Sequence, residues 1–444
     1  MRTMKKYNHT VSAIPRVIIL ALVFALTSTL MLYAYHRPSG TEAADLKICM
    51  MNGDDNLSGL LTSAASDCGI TADIRQVVTD YEMDAGDARK KINLELMSST
   101  GPDILILDDM DPTPYIKSGK LLDLRSIARD SGVPAEVKQQ FTSEDKCFAL
   151  PAAQTLFVYA ADGSAGKALP NTSGFGTLLR FAQKNNLYFG NAYDNIAAIA
   201  CRLYVEPRLT GVRSSDRRLL RDFYQSLQRL RGQSRQKYEA ASFQRLNMQL
   251  NPLFSFEGIG HGGTGVSMDY LCSIEDFQLL QLLSDKDRLR YRLAEENGRI
   301  ISMPCCIVAV NKNGAHRSTA VKYLRYLMSE EGQRLVSDSS LLPSDLNSLS
   351  EIMRRTTESD RISEYNTLTL PALRSRTVRL LTRDLGDRLT SRVTDGVQSV
   401  IFCGQFIHAI LFCSLLLRLL SFDFSLRIFL AQAGQYLDAP EPGT

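Results

Sequence analysis

Asp108 and Asp109 follow the apolar run Ile104-Leu105-Ile106-Leu107. A short continuous apolar run suits a parallel strand covered on both faces, and open α/β sheets place their ligands beyond the carboxyl ends of such strands. Two chemistries are open to the pair. They can accept hydrogen bonds from a solute's hydroxyls. They can also serve glycoside hydrolysis, but only if two carboxyl groups face each other about 5–9 Å apart across a sugar. Solvated loop acids are the bland reading. A second group, Asn191, Tyr193 and Asp194, stands just before a small-residue stretch with helical character. A polar–aromatic turn at a helix start can serve a ligand or simply cap the helix.

Other catalytic chemistry has little material. The five His, at 9, 36, 261, 316 and 408, are too few and scattered for a metal or triad site. No HExxH, GxxxxGK[ST] or GxSxG pattern occurs. Gly258-x-Gly260-x-x-Gly263 fits the dinucleotide fingerprint in form, yet a strand rather than a helix is expected after it. The nine Cys show no CxxC spacing, and their odd number and wide spread read as buried free thiols rather than a disulfide framework. No cofactor or metal is expected, and the chain reads as a binder rather than an enzyme.

The acidic pair needs elements to position it. Ala85, Ala88, Ile92 and Leu96 fall at three- and four-residue steps, one apolar helix face. Asp84 can cap that helix and Gly101-Pro102 stops it. The strand at 104–107 follows, then a loop and a short helix through Tyr115. Strands are also expected at 45–52 and 74–78, and helices at 178–184 and 219–230.

Residues 90–124, KKINLELMSSTGPDILILDDMDPTPYIKSGKLLDL, resemble the corresponding segment of extracellular solute-binding proteins of the sugar-binding type, which feed ABC importers. Further matches follow in the family's order, over about 45–349. Residues 147–160, CFALPAAQTLFVYA, resemble the segment that crosses between lobes and lines the cleft, which makes Gln154 and Thr155 polar candidates. Residues 254–276, FSFEGIGHGGTGVSMDYLCSIED, resemble a Gly-rich turn, a returning strand and a cleft loop, which puts Asp269 and Tyr270 toward the ligand. Residues 298–311 and a helix over 317–336 continue the match, with SEEGQ at its end and Leu342-Pro343 as a turn re-entering near the cleft. The resemblance implies an α/β, two-lobe, periplasmic-binding-protein-like (type II) fold with a hinge and an interlobe cleft. Lobe 1 is expected from 45–155 with 258–320, and lobe 2 from 156–257 with 321–396.

The 444 residues, 44% hydrophobic and 22% charged, suit two or three core-forming units. A net charge of +3 gives no argument for nucleic acid. Arg2, Lys5, Lys6 and Arg16 precede an uncharged run over 17–35, the charged-then-apolar pattern of an export signal. At close to the roughly 20 residues that span a bilayer, it reads as an uncleaved signal anchor, with a cleaved signal as the alternative. Its positive flank keeps 1–16 inside and places the rest outside. Residues 36–44 are a polar linker. Residues 396–417 carry no charge; mid-run Gly404, Gln405 and His408, with Arg383, Arg388 and Arg392 on the flank, favour buried C-terminal helices over a second span. Residues 397–444 thus read as apolar helices and a polar tail. The expected function is an extracellular receptor for a small solute, a carbohydrate by the resemblance, delivered to ABC permease subunits. One departure stands out: the family stacks sugars on Trp, and this chain has none, so Tyr must take that place or the ligand is not a sugar. A sensor ectodomain and a glycosidase on a similar scaffold are the alternatives.

Overall fold

The structure is a computed structural model. It describes residues 44–51, 55–77, 85–98, 101–108, 110, 112–161, 166–170, 175–189, 199–205, 213–234, 265–286, 289–296 and 298–356, with short pieces between 361 and 391. The runs at 17–35 and 396–417 lie outside these. Among the described residues no helix is long and apolar enough to cross a membrane.

In chain order the main strands are β1 (Leu46–Met50), β2 (Ala72–Gln76), β3 (Ile104–Ile106), β4 (Thr142–Ser143), β5 (Lys146–Cys147), β6 (Leu150–Ala161), β7 (Tyr188–Phe189), β8 (Gly265–Leu271), β9 (Arg290–Leu293), β10 (Glu295–Glu296), β11 (Arg299–Val310) and β12 (Leu342–Pro343), with three short strands after them. The main helices are α1 (Asp55–Asp67), α2 (Ala85–Leu96), α3 (Phe175–Lys184), α4 (Arg213–Ser234), α5 (Ile274–Lys286), α6 (Arg317–Leu327), α7 (Glu330–Asp338) and α8 (Leu346–Thr356). One mixed sheet runs in the order β2-β1-β3-β11-β6-β8-β7. The pairs β1–β2 and β1–β3 are parallel, while β11 runs antiparallel to both β3 and β6.

Two cores use this sheet. The first gathers Leu46, Ile48, Ile92, Leu105 and Ile106 with Tyr323, Leu324 and Leu349. The second gathers Phe157, Tyr159, Phe175, Leu178, Leu203, Val266, Met268 and Ile301. Side chains alternate between the faces of a strand. Along the second half of β6, Leu156, Val158 and Ala160 accordingly enter the first core, while Phe157, Tyr159 and Ala161 enter the second. All 12 residues of β6 are buried, which is why the strand reads as an almost unbroken apolar run.

The helix expected over 317–336 is two helices. Ser329 ends the first and caps the second, its Oγ accepting from Gly332 N. Gly332 lets the two approach, because a Cβ there would strike the Tyr326 carbonyl. Both helices pack in the first core, through Tyr323, Leu324, Leu327 and Val336. These helices thus pack in the first core, whereas the resemblance assigns 321–396 to lobe 2.

Helix α5 was not expected from the sequence, although its start carries a capping box. Asp276 N donates to Ser273 Oγ, while the Asp276 carboxylate accepts from Ser273 N and Cys272 N. Burial pushes the Asp276 carboxyl up to about 6, against the lowering effect of those bonds. The folded chain therefore holds this proton between pH about 4 and about 6 while the unfolded chain releases it. Stability must fall as pH rises through that window and level off above it. Chemical denaturation at a series of pH values should show this slope in the wild type and lose it in Asp276→Asn; identical slopes would show that Asp276 does not titrate there.

Candidate functional site

The cleft is built where the two cores part. On one face of the sheet the first core ends at Ala153 and Cys305, and the second begins at Phe157 with Tyr270 and Met303 packed on it. Thr155 sits between them. It lies opposite Met303 on β11, and the β6–β8 register, Leu156 opposite Leu271, puts Cys272 on its other side. Its hydroxyl lies 3.5 Å from the Cys305 sulfur and 3.8 Å from the Cys272 sulfur. Tyr270, Cys272, Met303 and Cys305 all keep part of their side chains accessible, in strands that are otherwise almost wholly buried. These partly exposed residues of β11 and of the end of β8 flank the buried Thr155 of β6, and together they are the candidate floor of a binding site.

Aromatic rings flank the floor on the second-core side. Phe157 and Tyr270 are directly opposite across β6–β8, with centroids 5.3 Å apart and a 51° tilt. Dense surroundings hold the Cys272 thiol well above the ordinary range; burial is the main cause, and Asp276 and Cys305 add to it. The thiol is therefore neutral at physiological pH.

The sequence candidates separate by strand face. Thr155 and Tyr270 lie on the floor. Gln154 and Asp269 belong to the opposite face, since each is a strand neighbour of a floor residue. Gln154 donates to the Pro343 carbonyl at 2.9 Å, which ties β12 to β6. Asp269 is buried and accepts from Tyr270 N at 2.9 Å. Tyr270 stands in β8 itself rather than in a loop. Asp109, Asn191, Tyr193 and Asp194 lie outside the described residues.

Asp108 does end the β3 segment as expected, but its carboxylate is engaged. Its two oxygens accept from Cys306 N at 2.7 Å and Ile307 N at 2.6 Å. Cys306 has φ +49°, a left-handed conformation in mid-strand, which costs energy for a side chain with a Cβ. Asp108 thus holds a strained stretch of β11 next to Cys305. Sequence reasoning passed over Cys272, Met303 and Cys305. Their common signal was alternation within two apolar strands, where thiols and thioethers look like core.

The expectation of free thiols holds for Cys49, Cys68, Cys147, Cys272, Cys305 and Cys306. Cys201 is the correction: it is disulfide-bonded, a pairing that spacing alone could not reveal. Among the described residues, no cluster of His, Cys, Asp and Glu could hold a metal ion.

No protein-family model matches the sequence, and no curated protein does so. Solved structures match in fold. A family 1 extracellular solute-binding protein from Bifidobacterium longum subsp. infantis is 13% identical, with a TM-score of 0.50 over 82% of this chain and 92% of that one. A protein from Synechococcus sp. MITs9220 described as an oligosaccharide periplasmic-binding protein is 15% identical, with a TM-score of 0.50 over 89% of this chain and 99% of that one. Its complex with zinc aligns at 16% identity and the same TM-score, over 82% and 94% of the two chains. Identities this low speak for architecture. The chain has the two-lobe α/β fold of extracellular and periplasmic solute-binding proteins.

Asp108→Ala strands two backbone N–H groups and releases the Cys306 strain, and hydrogen bonds to charged groups are worth about 1.5–3 kcal/mol each. Urea denaturation of the unliganded variant should therefore show a loss of at least about 2 kcal/mol. Wild-type stability would mean that the carboxylate is free to serve a ligand.

Proposed function

We propose that the chain is an exported solute-binding receptor whose two lobes close over a small neutral solute, a carbohydrate, and present it to the permease subunits of an ABC importer. The observation that carries the reading is the partly accessible set Tyr270, Cys272, Met303 and Cys305 around the buried Thr155. It lies between two cores that share their strands, where a hinge motion opens and closes space. The solved structures that share the fold carry names of solute- and oligosaccharide-binding proteins, which supports the same class of ligand. Tyr270, backed by Phe157, offers the ring face on which a sugar's C–H groups stack, in a chain without Trp. The uncharged run at 17–35, behind its basic flank, supports export and a membrane tether.

Binding without conversion is the further part of the reading. Both oxygens of Asp108 accept from backbone, so this carboxylate is poorly placed to act as a glycosidase acid or base. The site candidates Asp109, Asn191, Tyr193 and Asp194 are retained as ligand contacts, with Asp269 and Gln154 supporting the floor from behind.

A thermal-shift screen of neutral saccharides should find ligands that raise the melting temperature by mass action. Calorimetry on a hit should show Tyr270→Ala weakening binding about tenfold, since an aromatic contact adds on the order of 1 kcal/mol beyond its buried area. Mass spectrometry after prolonged incubation should recover the hit unchanged. Steady turnover would replace the receptor reading with an enzyme, and full affinity in Tyr270→Ala would move the ligand elsewhere.

A further inference from the structure

The chemistry of the floor narrows the solute. Its partly accessible residues are Tyr270, Cys272, Met303 and Cys305, around the buried Thr155 and with Phe157 behind. Two of these are thiols, one is a thioether and one is an aromatic ring whose phenolic hydroxyl is the single strong hydrogen-bonding group among them. Thiols and thioethers are weak hydrogen-bonding groups, and a free Cys behaves as a small hydrophobe. The one aliphatic hydroxyl, on Thr155, already lies within 3.8 Å of both sulfurs. The nearby carboxylates of Asp108 and Asp276 accept from backbone N–H groups. A hydroxyl pressed onto the sulfur part of this surface, at Cys272, Met303 and Cys305, gives up water for weak partners only, and burying it so is unfavourable. A C–H face or a methyl group gains area against sulfur and ring at no such cost.

We infer that the floor selects a neutral, hydroxyl-poor face: a deoxysugar, or a glycoside with an apolar aglycone, in preference to the fully hydroxylated or charged saccharide. This rests on the receptor reading above and names the class of solute within it. The sulfur row rather than the ring sets the preference, because Tyr270 would stack on the C–H face of either partner.

Matched pairs test it. Calorimetry and thermal shift would be run with glucose against 6-deoxyglucose, galactose against 6-deoxygalactose, and methyl against phenyl β-glucoside. An apolar surface rejects an added hydroxyl only moderately, by up to about 100-fold. The 6-deoxy or phenyl member of at least one pair should therefore bind about 10- to 100-fold more tightly. The double variant Cys272→Ser/Cys305→Ser puts hydroxyls where the thiols were and should shrink that ratio to about threefold or less, with the unliganded melting temperature measured as a control on folding. If glucose, galactose and methyl β-glucoside bind equally or better in wild type, the inference falls and the receptor reading stands. If no member of any pair raises the melting temperature at millimolar concentration, the carbohydrate reading and the inference fall together. The wild-type comparison decides the matter even if the double variant does not fold.

Discussion

Two apolar cores share the strands β6 and β11, and that sharing constrains everything else. A strand that serves two cores is buried over most of its length, and β6 is buried throughout. It must also change the core it feeds as it passes from one lobe to the other. On the face where the cores part, an apolar side chain would close the gap and weld the lobes, whereas a strongly polar one would need partners that a dry sheet does not supply. Thr155, between Cys272 and Cys305, is a compromise: small, only slightly polar, and able to lie against sulfur. The cleft and its chemical character follow from one requirement of the fold.

Buried polar side chains keep this arrangement in place by bonding to backbone rather than to each other. Asp103, fully buried, accepts from Lys47 N and His316 N, which ties the start of β3 to β1 and to the entry of α6. Gln333 donates to the carbonyls of Ala152 and Leu327 and accepts from Asp345 N. Asp345 in turn accepts from Gly132, Asn347 and Ser348. Each of these groups satisfies backbone where regular ladders stop, and a buried group left unpaired would be costly. Asp108 belongs to the same set. Its position at the end of a buried strand is where ligands are often held, yet the kink at Cys306 claims both of its oxygens.

Much of the fold was legible because burial leaves a periodic trace. The α2 stripe, the β3 run and the apolar stretches of β6 and β11 are all visible as patterns, and the resemblance to solute-binding proteins rests on them. The break between α6 and α7 was not visible, because the apolar stripe continues across Ser329 and only the cap and the close approach at Gly332 reveal it. Helix α5 was missed although Ser273-x-x-Asp276 is a capping signal, since the segment had been taken as a loop by analogy. At the site, residue type pointed to Thr155 and Tyr270 but could not tell Asp269 from Tyr270 or Gln154 from Thr155. Neighbours in a strand point to opposite faces, and which face lines the cleft is decided by partners distant in sequence. Whether a carboxylate meets a ligand or its own backbone is likewise a three-dimensional fact, as Asp108 shows.

The central claim is that the ligand sits on the floor between the two cores. Thiol footprinting tests it directly, because the floor carries its own reporters. Purified protein would be treated with a small alkylating reagent, with and without a saturating solute from the thermal-shift screen, and modification at each Cys followed by peptide mass spectrometry. Cys272 and Cys305 should react slowly in the free protein and be shielded by the solute, while Cys68, partly exposed just past the end of helix α1, reacts equally in both. Unchanged labelling of Cys272 and Cys305 under saturating solute would contradict the account and place the binding site elsewhere.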